Sequence, residues 1–153
     1  MQNIRTLGAR KNIVLIAHDH KKRDLEEWVG ANIAVLSRHE LYATGTTARR
    51  IELATNIRVT PLMSGPLGGD QQVGSMIAQG LIDIMIFFSD PMEALVHDSD
   101  VKALVRLAAV WNIPFACDRS SADFLVTSSY FNSSYDIQVP DYSHYLNRKI
   151  EVL

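Results

Sequence analysis

Short apolar runs rich in β-branched and aromatic residues alternate along this chain with stretches of helical spacing. Ile13-Val-Leu-Ile-Ala17 reads as a buried strand, and Leu25, Trp28, Val29, Ile33 and Leu36 then share one helix face. Leu41-Tyr-Ala43 is a second strand, running into Thr44-Gly-Thr-Thr47 and a short helix to about Ala54. Arg58-Val-Thr-Pro-Leu62 is a weaker third. The stretch from Asp83 through Ile-Met-Ile-Phe to Phe88 is the clearest strand, apolar at successive positions as a central parallel strand should be. Val101, Leu104, Val105, Ala108 and Trp111 recur at helical spacing, and Ile113 to Ala116 forms a fifth strand. The tail carries a short helix near Ala122 to Val126, a polar loop from Ser128 to Ser134 and a last helix from about Tyr142. Strands alternating with helices predict right-handed βαβ units and an α/β doubly wound sandwich around a five-stranded, mostly parallel sheet. No internal repeat, linker or second domain interrupts the pattern, so residues 1–153 read as a single domain.

Composition narrows the picture without redirecting it. A chain of 153 residues suits one sizeable core, and 47% hydrophobic with 21% charged residues is ordinary for a globular chain. No apolar run approaches the roughly 20 residues that span a bilayer. The basic stretch before Ile13 lacks the pattern of a signal peptide. A net charge of -2 makes no electrostatic case for nucleic acid. The lone Cys117 cannot form an internal disulfide, which points to a reducing, cytoplasmic location. It follows a strand-like run and is expected to be a packed core thiol.

The chemistry collects where strands end. In open α/β sheets ligands bind beyond the carboxyl ends of the strands. The first strand ends at His18-Asp19-His20 with Lys22 beyond, and the second at Thr44-Gly45-Thr46-Thr47. The third leads to Ser64-Gly65 and Asp70, and the fourth to Ser89-Asp90-Pro91, followed by His97, Asp98 and Asp100. The threonine loop offers hydroxyls, backbone N–H groups and a helix N-terminus, the parts of an anion site, although Thr46 or Thr47 could simply cap the helix. Ser64-Gly65 and the Lys22 cation beside it favour a bound phosphate. A nucleotide is disfavoured: Gly69-Asp-Gln-Gln-Val-Gly74-Ser75 has P-loop glycine spacing without the lysine, and no Gly-x-Gly-x-x-Gly follows the first strand. In an extended segment His18 and His20 point one way and Asp19 the other, which weakens a metal triad. Asp19 and Asp98 suit helix caps, Asp90 before Pro91 suits a turn, and His39 and His144 read as surface residues. Asp70 is the only charged side chain in its loop, Ser64-Gly-Pro-Leu-Gly-Gly-Asp70, and could cap the following helix or act as a general base. Gly68 and Gly69 would let a ligand approach the backbone closely.

Val14-Leu-Ile-Ala-His-Asp-His20, Leu41-Tyr-Ala-Thr-Gly-Thr-Thr47, Ser64-Gly-Pro-Leu-Gly-Gly-Asp-Gln-Gln-Val-Gly74, the stretch from Asp83 to Asp90-Pro91, His97-Asp98-x-Asp100-Val-Lys-Ala-Leu, Val110-Trp-Asn-Ile-Pro114 and Ala122-Asp-Phe124 together resemble the methylglyoxal synthase family. The resemblance runs in order over nearly the whole chain. It implies a flavodoxin-like layering and a lyase that converts dihydroxyacetone phosphate to methylglyoxal and inorganic phosphate, a glycolytic bypass. It implies no metal or organic cofactor, a homohexamer, and phosphate as both product and allosteric inhibitor, with no nucleic-acid or membrane partner. By matching position, Asp70 is the base, and His97 polarises the carbonyl and moves protons on the enediolate. Asp19, Asp90 and Asp100 are supporting acidic residues. His18, Lys22, Thr44, Gly45, Thr46, Thr47, Ser64 and Gly65, with His97, hold the substrate. The chain departs from the family in carrying Lys21 beside Lys22, and in a tail, Asn147-Arg148-Lys149-Ile150, where either Arg148 or Lys149 could serve a neighbouring subunit's site. The rival reading is a non-catalytic effector-binding domain of the same fold, such as the allosteric domain of carbamoyl-phosphate synthetase, which would need the anion cradle but no base.

Overall fold

A computed structural model describes residues 3–94 and 98–148 of the chain. Along it run β1 (Asn3–Leu7), β2 (Asn12–Ala17), α1 (Lys22–Ala31), α2 (Ile33–Leu36), β3 (Glu40–Thr44), α3 (Thr47–Thr55), β4 (Thr60–Leu62), α4 (Gly69–Ala78), β5 (Ile84–Phe88), α5 (Asp98–Val110), β6 (Phe115–Ala116), α6 (Arg119–Thr127), β7 (Tyr135–Val139) and α7 (Ser143–Leu146). Strands β4-β3-β2-β5-β6 form one sheet in that order, and all four pairings are parallel. The five expected strands are present. The weakest, β4, sits at an edge, where Pro61 costs no ladder bond that a central strand would need.

Period-two alternation sends the side chains of the central strands into two cores. Ile13, Leu15 and Ala17 of β2, with Ile84, Ile86 and Phe88 of β5, pack against Leu25 and Trp28 of α1, Ile51 of α3 and Val126 of α6. Val14 and Ile16, with Met85 and Phe87, pack the other way against Val73 and Ile77 of α4 and Leu104 and Ala108 of α5. A strand buried on both faces must be apolar throughout, which is why β5 carries no polar position. Helices on both faces leave the two ends of the sheet for ligands.

Four features depart from the expectation. First, β1 and β7 pair antiparallel as a separate ribbon, Asn3 opposite Val139 and Leu7 opposite Tyr135. Leu7 and Ile137 turn inward while Ile4 stays exposed, so the ribbon's apolar signal is too thin to read as strands. Second, the helix expected to run to Leu36 breaks at Asn32. There the side-chain amide donates to the Trp28 carbonyl at 2.8 Å and the backbone N–H to Val29 O at 3.0 Å. The break turns Ile33 outward instead of onto the core face. Third, Cys117 is exposed rather than a packed core thiol. The strand stops at the buried Ala116, and the chain then turns into Asp118, whose side chain caps α6 by accepting the Ser121 N–H at 2.8 Å.

Fourth, His39 is a buried residue, not a surface one. Its Nδ1 accepts the Lys11 backbone N–H at 3.0 Å, its Nε2 lies 2.9 Å from Asn132 Oδ1, and the ring meets Phe131 edge-on. Burial pushes its pKa down, reinforced by the Lys11, Arg38 and Arg10 cations and opposed by the bond to Asn132. Beside it the buried Lys11 ammonium donates to the carbonyls of Gly8, Phe131 and Ser133 at 2.9, 3.0 and 2.8 Å, which pins the polar loop of the tail to the start of β2. His144 is exposed, as expected.

Candidate active site

Beyond the carboxyl ends of β2, β3 and β4 lies a cavity of about 120 Å³. Its lining includes His18, Asp19, Lys22, Thr44, Gly45, Thr47, Ser64, Gly65 and Asp70, so nine of the expected residues meet around one space.

Each loop is shaped by its own sequence. After β2 the chain enters a 3₁₀ turn, Asp19–Lys21, before Lys22 opens α1. His18 precedes that turn and is buried, its backbone N–H bonded to Phe88 O at 3.2 Å and its ring edge-on to Phe87. Its Nδ1 accepts the Asp90 backbone N–H at 2.8 Å. After β3, Gly45 takes φ +57° and its N–H donates to Leu62 O and Met63 O, both at 3.2 Å. That brings the threonine loop against Ser64, where a β-carbon on Gly45 would lie 3.2 Å from Ser64 Cβ. The hydroxyl of buried Thr47 has no hydrogen-bond partner among the described residues.

After β4, Gly65–Leu67 forms a 3₁₀ turn and Gly68, at φ +109°, becomes the N-cap of α4. Gly69 follows with a β-carbon position only 1.9 Å from the Met63 carbonyl oxygen. Gly69 is therefore required by the packing of the loop on itself, and Gly68 by its left-handed backbone. Gln72 completes the loop by accepting the Met63 N–H at 2.7 Å. Asp70 is consequently not the cap. It lies in the first turn of α4, 3% exposed, with its side chain on the cavity.

The supporting residues divide. Lys22 Nζ sits between Asp19 Oδ1 at 3.0 Å and Thr46 Oγ1 at 3.1 Å, so Thr46 reaches the site through the lysine and is not itself part of the lining. The bonded ammonium holds the largely exposed Asp19 carboxyl below the usual carboxylate range. Asp90 makes the turn read from its sequence, Oδ1 accepting the Met92 N–H at 3.0 Å, and its Oδ2 lies 3.7 Å from His20 Nδ1. Asp100 lines a neighbouring crevice between α4 and α5 that Asp70 also borders. Position 97 lies outside the described residues, and the histidine expected to act there is carried from the sequence alone.

His18 and His20 part company, one buried and the other exposed, so they do not form the histidine pair of a metal triad. Among the described residues one group, His20 with Asp90 and Glu93, places three ligand atoms within 4.8 Å of one another, beside the cavity and not in it. The cavity also has an apolar wall of Ile16, Ala17, Pro66 and Phe87, none of them among the expected site residues. Strand alternation could have found Ile16 and Phe87, which share a face.

The fold and the cavity define an α/β protein with a pocket of hydroxyls, a lysine and a buried carboxylate at the carboxyl ends of its strands. The MGS-like domain family matches residues 24–117. A methylglyoxal synthase of Photorhabdus laumondii is 55% identical over 147 residues, covering 96% of this chain and 97% of that one. One of Yersinia enterocolitica is 54% identical with the same coverage. The crystal structure of methylglyoxal synthase from Elizabethkingia anophelis superposes with a TM-score of 0.92 at 57% identity, covering 97% of each chain. The chain belongs to the methylglyoxal synthase family.

Proposed function

We propose that this chain catalyses the methylglyoxal synthase reaction, a carbon–oxygen lyase step converting dihydroxyacetone phosphate to methylglyoxal and inorganic phosphate. The observation that carries it is the meeting of the buried Asp70 carboxylate with Ser64-Gly65, the threonine loop and Lys22 around one cavity. A cradle without a base would suit an effector domain, and the buried carboxylate on the cavity wall supports the catalytic reading instead.

Asp70 takes a proton from the hydroxymethyl carbon alpha to the carbonyl, and the carbonyl oxygen becomes an enediolate oxygen. An unperturbed aspartate, pKa about 3.9, is a weak base, so hydrogen-bond donors must stabilise that oxygen as its charge develops. His97 is assigned that part together with proton movement on the enediolate, and His18 holds the substrate. The enediolate electrons then expel phosphate from the other carbon, which requires the breaking C–O bond to align with the π system. Thr44, Gly45, Thr46, Thr47, Ser64, Gly65 and Lys22 hold the phosphate at that angle and stabilise it as it leaves. The enol left behind takes a proton on its terminal carbon, gives up its hydroxyl proton and becomes methylglyoxal. Asp19 tethers Lys22, and Asp90, in the turn after β5, and Asp100, in α5, support the site.

No metal or organic cofactor enters this scheme. Family membership supports a homohexamer inhibited allosterically by phosphate, working in the cytoplasm as a glycolytic bypass. No helix among the described residues is long and apolar enough to cross a membrane. The Arg148 guanidinium stacks over Tyr145, 4.4 Å from the ring centroid, and is the cation proposed to reach a neighbouring subunit's site; Lys149 lies outside the described residues.

The deciding experiment incubates the protein with dihydroxyacetone phosphate and measures methylglyoxal and phosphate together. Both are expected in equal amounts, and Asp70→Asn should lower the rate by at least about 10²-fold. Near-normal production by that variant would remove Asp70 as the base, and glyceraldehyde 3-phosphate in place of free phosphate would remove the elimination. Sedimentation of the native protein tests the hexamer.

A further inference from the structure

The main chain decides which nitrogen of His18 carries the proton. The Asp90 backbone N–H donates to Nδ1 at 2.8 Å. An amide N–H can only donate, so Nδ1 must present its lone pair, and in the neutral ring the proton then resides on Nε2. A second proton would have to be placed on Nδ1, against that N–H. The ring cannot easily turn to relieve the conflict. It is 8% exposed, edge-on to Phe87 at 5.1 Å, and its own backbone is bonded to Phe88 O. Asp90 is held in turn, because its carboxylate accepts the Met92 N–H and Pro91 restricts the peptide between them.

We propose that the Asp90 main-chain amide locks His18 as the neutral Nε2–H tautomer, and that His18 serves catalysis as a fixed hydrogen-bond donor to the substrate's reacting oxygen, not as a proton carrier. Asp90 is then a positioning residue acting through its backbone. This rests on the reading of the cavity as the methylglyoxal synthase site. The chemistry has a reason for such a donor. A neutral imidazole stabilises the enediolate oxygen without surrendering its proton, because doing so would leave an imidazolate. An imidazolium would protonate the oxygen early, giving the enediol, and favour its return to triose phosphate over loss of phosphate. The charged groups around the ring are compatible with this state. Asp19 and Lys22 neutralise one another at 3.0 Å, Asp70 faces the same cavity from α4, and the Asp90 carboxylate is turned toward His20.

Imidazole ¹⁵N correlation spectra of the resting wild-type protein at pH 7.5 test the lock directly. The His18 ring is expected as a single Nε2–H tautomer; an Nδ1–H tautomer, an averaging mixture or a cationic ring would overturn it. Kinetics test the role. His18→Gln can place an N–H donor near the Nε2 position but cannot shuttle protons, whereas His18→Asn places its amide near Nδ1. The Gln variant should keep kcat within about tenfold of wild type and the Asn variant should fall about 10²-fold, the scale of losing one oxyanion donor. Equal losses in both, with unchanged melting temperatures, would mean that the site needs a proton carrier at this position. The tautomer is read without substrate, so its failure is distinct from absence of methylglyoxal production by the wild type, which would sink the parent reading.

Discussion

A β-carbon at position 69 would lie 1.9 Å from the Met63 carbonyl oxygen and 2.8 Å from two further backbone carbons. None of these atoms can swing aside as a side-chain tip could. Gly69→Ala is expected to shift the loop that carries Ser64, Gly65 and Asp70, costing about 1–3 kcal/mol of stability as overpacking and lowering kcat/KM more than the melting temperature alone would suggest. Thermal unfolding and steady-state kinetics on one preparation check both parts; an alanine variant of normal activity would contradict this account of the loop. His39 gives the residue scale its pH dependence. Its folded pKa is depressed, chiefly by burial. The stabilisation it contributes is therefore complete above its unfolded pKa, near 6.5, and is lost as pH falls through that value toward the folded one. Urea unfolding from pH 7.5 to 5 should show a decline of at most about 1.4 kcal/mol per pH unit from this group. His39→Gln should flatten it, and an unchanged slope would assign the acid sensitivity elsewhere.

At the scale of elements, helix starts and strand ends do the positioning. β2, β3 and β4 all run parallel, so their carboxyl ends deliver His18, Thr44 and Ser64 to one edge. The loop after β4 then turns through Gly68 to set Asp70 in the first turn of α4. α4 packs closely on α5, with Gly74 presenting a β-carbon position 3.1 Å from Leu107 Cδ1. The polar loop from Ser128 onward is held by the buried Phe131 and by two carbonyls, those of Phe131 and Ser133, that accept from Lys11. Lys11→Met would keep the stem's packing and leave those carbonyls without their donor. The expected cost is on the order of 3 kcal/mol, seen as a lower urea midpoint with KM unchanged, because the pin stands at the opposite end of the sheet from the cavity. A change in KM of the same size as the loss of stability would show that the two ends are coupled.

Across the whole molecule, the ribbon of β1 and β7 is joined to the sheet by charge. Arg5 pairs with Asp83 and also donates to Gly80 O and Ile82 O at 2.9 and 3.2 Å, while Asp83 Oδ2 accepts the Asn12 N–H at 2.8 Å. The chain's own residues made much of this legible. Runs such as Ile84–Phe88 can only be central strands in a two-faced sheet, and turn glycines, prolines and threonines mark where the chain reverses. Both signals arise between residues a few positions apart, so they survive in the bare sequence. The gathering of polar residues at strand ends was legible for the same reason, once parallel strands were inferred. What only the tertiary structure decided depends on partners far apart in the chain. Asn132 and Lys11 bury His39, which by local context reads as exposed. Leu7 and Ile137 make strands of two weakly apolar segments only by meeting. Met63, from the preceding strand's exit, is what Gly69 must clear. The backbone of Asp90, 72 residues from His18, selects the atom on that ring that bears the proton. A side chain's type is written in the sequence, but its protonation geometry belongs to whichever backbone group the fold brings within 3 Å of it.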